Sequence, residues 1–106
     1  MATTQPFKSA GQASVALTTA NASQATSAVI PGDGETVLIV NNCAVAVTAD
    51  IGLTAPTATA ASPYVIPANA RMIITVGRVG PLFAAAMPIA TASASVYFMR
   101  GDGNTY

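Results

Sequence analysis

Histidine and tryptophan are missing from this chain of 106 residues, cysteine occurs once, and only 8% of the residues are charged. Each shortage removes a class of chemistry. Without imidazole there is no side chain that titrates unaided near neutral pH and no histidine to activate a nucleophile. Zinc or iron sites cannot be assembled from one cysteine and no histidine. Cys43, alone, excludes an internal disulfide framework. It follows Asn41-Asn42 and precedes Ala44-Val45-Ala46-Val47, where a turn enters a strand, and it reads as a small buried apolar side chain.

Charge is balanced as well as scarce. Lys+Arg and Asp+Glu number 4 each, a formal net charge of +0. That balance gives no electrostatic case for nucleic acid or a membrane surface, and it leaves little repulsion between copies. The distribution is uneven. Residues 1–50 carry Lys8 against Asp33, Glu35 and Asp50, whereas residues 51–100 carry Arg71, Arg78 and Arg100 and no acid. That asymmetry allows two faces of opposite sign or, equally, a handful of scattered solvated charges.

The four carboxylates do not form a catalytic pattern. Asp33 and Asp102 each stand between two glycines, which is turn chemistry. Asp33 and Glu35 together fall short of the six or so oxygens that a hard cation takes. Neither GxGxxG nor GxxxxGK[ST] occurs, so phosphate cradling has no support. The aromatics Phe7, Tyr64, Phe83, Tyr97, Phe98 and Tyr106 are not interleaved with basic residues, as a stacking platform for single strands would require. No catalytic, cofactor-binding or metal-binding residue is assigned, no cofactor is expected, and the chain is read as not an enzyme. Two short matches carry no weight. Arg100-Gly101-Asp102 spells a tripeptide that integrins bind, with the arginine expected to end a strand and Gly101-Asp102-Gly103 to turn. Asn21-Ala22-Ser23 is a glycosylation sequon that matters only in a secreted protein.

What is present is apolar, β-branched and broken into short runs. Hydrophobic residues make up 52%, with 8 glycines and 7 prolines between them. The uncharged stretch Val79 to Met99 is interrupted by Pro81, Pro88, Thr91, Ser93 and Ser95, which argues against a spanning helix. The start, Met1 to Lys8, lacks the basic and apolar regions of a secretory signal.

Residues 1–12 read as an extended arm, and deleting them is expected to leave the fold intact. Residues 13–106 read as one β-sandwich domain. Ser14 to Thr18 alternates. Thr36 to Val40, apolar on both faces, belongs in the middle of the fold. Asn41-Asn42 is expected to turn this strand into a hairpin with Ala44 to Thr48. Ile51 to Ser62 reads as a loop or weak edge strand. Pro63 to Pro67 is confined by its prolines to an edge or crossover. Ala68 to Ala70 turns, Arg71 to Val76 is a strand, Leu82 to Met87 is a strand between Pro81 and Pro88, and Ala92 to Met99 alternates. Seven to eight short strands at near-regular spacing, with turns between, are the signature of an all-β antiparallel sandwich or barrel, and the chain is read as a β-sandwich, jelly-roll-like.

The stretch from Val37 to Gly103 also resembles small virion structural proteins of tailed bacteriophages. The resembling pieces are Val37 to Asn41, Ala44 to Val47, Pro63 to Ala68, Met72 to Val76, Leu82 to Ala85, and Ala92 to Phe98 closing on Gly101-Asp102-Gly103. The group is similar to head decoration, or cement, proteins. This resemblance implies a β-sandwich on the outer capsid surface that binds the major capsid protein and other copies of itself, as a dimer or trimer, without nucleic acid or membrane. A tail, collar or fibre adaptor is the alternative that it allows.

Overall fold

The computed structural model describes residues 8–17, 20, 22–26, 29–30, 34–54, 56–59, 62–76, 81–90 and 94–102. Eight strands run through them: β1 (Lys8–Leu17), β2 (Gln24–Ala25), β3 (Thr36–Asn41), β4 (Val47–Gly52), β5 (Tyr64–Ile66), β6 (Arg71–Thr75), β7 (Phe83–Pro88) and β8 (Ala94–Asp102). They form two antiparallel four-stranded sheets, β1-β8-β3-β6 and β2-β7-β4-β5. The pairs β1–β8, β2–β7, β3–β6 and β4–β5 are all hydrogen-bonded. The first half of the chain is therefore matched strand by strand with the second half in reverse order. The bridging pairs β3–β8 and β4–β7 then gather these units into two sheets.

Alternation sorts the side chains, because successive residues of a strand face opposite sides. In the first sheet one inward row runs Ala13, Phe98, Ile39, Met72, and the next runs Arg100, Val37, Ile74. In the second sheet the inward rows are Tyr64, Ala49, Ala86 and Ile66, Val47, Pro88. Bulky Phe98, Ile39, Val37 and Leu17 meet small Ala49, Ala84 and Ala86, and all seven are fully buried in one shared cluster. Large against small across the gap lets the two layers interdigitate without voids.

Several boundaries differ from the sequence reading. β3 does not form a hairpin with the segment after Asn42: it pairs with β6 and β8, and β4 lies in the opposite sheet. The cause is Asn41. Its side chain is buried, and Nδ2 donates to the carbonyls of Val45, Ile66 and Pro67 at 3.0, 3.1 and 2.9 Å, while Oδ1 accepts from the Cys43 amide at 2.9 Å. These bonds hold the chain in a crossing between sheets where a two-residue turn would have returned it to its own. β1 begins at Lys8, so residues 8–12 of the expected arm belong to a ladder with β8; residues 1–7 lie outside the described residues. Gly101 and Asp102 continue β8 instead of turning, and Ile51 and Gly52 complete β4. β5 is an edge strand, as its flanking prolines predict, and Thr36–Asn41 lies inside its sheet with both faces largely buried. Residues Ala68 and Asn69 turn, with Asn69 at φ 55°, a conformation that asparagine tolerates.

Candidate interaction surfaces

The tripeptide Arg100-Gly101-Asp102 is a structural clasp. Arg100 is 2% exposed, and its Nε donates to the Gly34 carbonyl at 3.2 Å. The Thr36 hydroxyl donates to the Gly101 carbonyl at 3.0 Å, and the Glu35 amide donates to Asp102 Oδ1 at 3.2 Å. Three successive residues of β8 thus fasten residues 34–36 at the start of β3. Gly34, at φ 144°, lies so close over Gly101 that any side chain would overlap the Gly101 backbone. A receptor that reads an extended, solvated arginine finds this one buried. The same burial removes Arg100 from any basic face. Asp33 and Arg78 lie outside the described residues.

Cys43 is fully buried beside the Asn41 crossing, and burial pushes its thiol pKa up. A thiol held neutral is a poor nucleophile. Among the described residues no group of three or more His, Cys, Asp or Glu side chains could hold a metal ion, and no helix is long and apolar enough to cross a membrane. Of the sequon, Asn21 lies outside the described residues, while the Ser23 hydroxyl accepts from the Ala58 amide at 2.9 Å.

That bond leads to the first of two contrasting surfaces. The outer face of the second sheet carries the row Val65, Thr48, Met87 and, beside it, Asp50 and Ala85. Ala58, in the connection between β4 and β5, packs onto Ala85 and Met87 as a small separate apolar cluster. The chain's own loop covers the Ala85 and Met87 part of this face, while Val65 at the β5 edge stays 53% exposed. Thr48 is 3% exposed, and its hydroxyl has no hydrogen-bond partner.

The outer face of the first sheet carries two rows across all four strands. One is Gln12, Met99, Leu38, Ile73; the other is Ser14, Tyr97, Val40, Arg71. Its centre is Leu38, Val40, Ile73, Tyr97 and Met99, of which Leu38 is buried by its neighbours and the others are half-buried. None of these five belongs to either apolar cluster. Arg71, at the β6 end, is the one charged residue in the two rows. Neither apolar cluster places a residue of a connecting loop on this face, whereas Ala58 lies on the other.

No residue of this surface stands out in the sequence as a site residue. Its signal was present: Thr36 to Val40 is apolar at consecutive positions, so one of its faces has to look away from the core of a two-layer sandwich. Comparison of the chain with family models, with curated proteins and with solved structures finds no match.

Proposed function

We propose that this protein is a structural component of a tailed-bacteriophage particle, a decoration protein that lies on the outer surface of the head and stabilises it through contact with the major capsid protein. The outer face of the first sheet carries the reading. An apolar centre of Leu38, Val40, Ile73, Tyr97 and Met99, rimmed by Gln12, Ser14 and Arg71, has the layout of a binding patch: aromatic and aliphatic residues inside, polar residues around them. Binding of this kind needs area and shape, and asks for no titrating group. The jelly-roll connectivity belongs to the same proposal. Its support is the strand order β1-β8-β3-β6 against β2-β7-β4-β5, in which the two halves of the chain are matched in reverse. That architecture recurs in capsid proteins.

Two measurements test the assignment. Quantitative mass spectrometry of purified particles should find a copy number set by the capsid lattice. A handful of copies tied to one vertex would move the protein to a tail, collar or fibre position, and absence from the particle would reject the proposal. Ile73→Glu and Tyr97→Glu should abolish binding to emptied heads while the far-UV circular dichroism stays that of the parent. Undiminished binding by both variants would remove the face from the account.

A further inference from the structure

The four sheet edges are not alike. β2 is two residues long. β5 has three residues and is bracketed by Pro63 and Pro67, which have no amide proton to offer. β6 has five and begins with exposed Arg71. Short length, proline and charge are the usual means of blunting an edge. β1 has one of them only at its first residue, Lys8: it runs for ten residues, and from Ser9 to Leu17 it contains no charge and no proline. A register shift between Ser9 and Gly11 interrupts the ladder near its start and leaves Gly11 to Leu17 as a regular run. Among the described residues β1 pairs with β8 alone, so alternate amides and carbonyls of that run point away from the sheet.

We propose that β1 is a self-pairing edge: two copies of this chain join antiparallel through their β1 strands, about a two-fold axis near Ser14, and their first sheets become one continuous sheet. The sequence around Ser14 is suited to facing itself. The outer side presents Gln12, Ser14 and Ala16, small or flexible and uncharged, and the inner side presents Ala13, Val15 and Leu17. With the axis at Ser14, the two serines face each other, Ala13 of one copy faces Val15 of the other, and Gln12 faces Ala16. The inner row then continues from one core into the next, and half-buried Ala13 gains the cover that Val15 and Leu17 already have. A net charge of +0 puts no long-range repulsion in the way. An interface of this symmetry closes on itself, so pairing stops at two copies. It also leaves the outer apolar face free, so that each pair brings two such faces side by side.

The inference deepens the proposed assembly role by naming the contact between copies, and it rests on that role only for its biological use. It is tested on the purified full-length chain by sedimentation velocity across the micromolar range. The parent should sediment as a dimer. Ser14→Lys, at an exposed position, should keep the parent circular dichroism and weaken the dimer by about tenfold or more, because like charges would face each other across the axis. Ser14→Glu should do the same alone, and mixing the two variants should restore pairing as a heterodimer, which a change in folding alone would not do. Proline at Ala13 or at Ser14 separates edge from ladder. One of these adjacent amides bonds to β8 and the other points outward, so one proline variant should fold normally and be monomeric. A parent that stays monomeric throughout, or a dimer indifferent to both charged variants, overturns the inference. Either result leaves binding to heads standing, whereas a dimer that fails to bind heads would count against the assembly role alone.

Discussion

On the second sheet, Ala85 and Met87 lie under Ala58 of the chain's own β4–β5 connection; on the first, Leu38, Val40, Ile73, Tyr97 and Met99 belong to neither apolar cluster. The two outer faces also differ in composition. On the second sheet the loop residue Ala58 covers Ala85 and Met87 and leaves Val65 at the β5 edge exposed. The outer face of the first sheet carries larger side chains, with Leu38 at its centre only 5% exposed. The lesson is that hydrophobicity in this chain has two destinations. One is the shared core, where bulky residues of the first sheet meet alanines of the second. The other is the outer surface of the first sheet, where Val40, Ile73, Tyr97 and Met99 stay half-buried.

Neighbouring residues of β3 give the sharpest way to break that distinction. Ile39 points into the core and is fully buried, while Val40 points outward and is half-buried. Ile39→Asp places an unpaired carboxylate in the core at a cost of several kcal/mol, on the order of the stability of the whole domain. The variant should be unfolded by far-UV circular dichroism. Val40→Asp should fold and lose about 1 kcal/mol in urea titration. Equal losses at the two positions would mean that the outer face is as much core as the inner one.

Asn41 joins the two sheets, so its loss should rank next. Asn41→Leu leaves the carbonyls of Val45, Ile66 and Pro67 and the amide of Cys43 without the partner they now share. A cost of about 3 kcal/mol is expected. A urea midpoint unchanged from the parent would show that these groups find other partners and that the crossing does not depend on the amide side chain.

The sequence made the strands legible where periodicity and turn chemistry agreed. Arg71 to Thr75, Phe83 to Pro88 and the alternating run through Val96 and Phe98 lie where their patterns place them. What it hid was which strands pair. Asn41-Asn42 has the composition of a hairpin turn, and the competing role of Asn41 depends on carbonyls 25 and 26 residues away. No local pattern carries that information. The same holds for β8 beyond Met99: Gly101 and Asp102 look like a turn until Gly34, Glu35 and Thr36 are laid beside them. The outer apolar face was half legible, since consecutive apolar residues were visible in β3 but their rows with β6 and β8 were not. Lys8 to Gln12 read as an arm because serine, alanine, glycine and glutamine carry weak strand preference, and pairing with β8 overrides it.

Two buried threonines beside β7, Thr26 just after β2 and Thr48 in β4, differ in one hydrogen bond. The Thr26 hydroxyl accepts from the Ala84 amide at 3.3 Å, whereas the equally secluded Thr48 hydroxyl has no partner. Valine has nearly the same shape as threonine and no hydroxyl. Thr48→Val should therefore stabilise by about 1 kcal/mol, and Thr26→Val should destabilise by a similar amount. Melting temperatures should move by about 5 °C in opposite directions. A loss of stability in Thr48→Val would show that its hydroxyl is satisfied by water under the loop.

At neutral pH the smallest expected effect belongs to the ionisation of Cys43, at the crossing between the sheets. Burial raises its thiol pKa in the folded chain. A raised folded-state value means that the native protein keeps the proton while the unfolded chain gives it up. Its contribution is therefore fully present below the thiol's unfolded pKa and is lost as pH rises through and beyond it. Urea stability should fall between about pH 8 and 10, by at most about 1.4 kcal/mol per pH unit from this group. Cys43→Ala should be less stable at neutral pH, because it leaves a small void, yet should show a flatter pH dependence over the same window. Parallel pH profiles for parent and variant would place the origin of any alkaline loss elsewhere, and rapid modification of Cys43 by a thiol reagent in the native protein would show that the crossing opens far more readily than its four hydrogen bonds to Asn41 suggest.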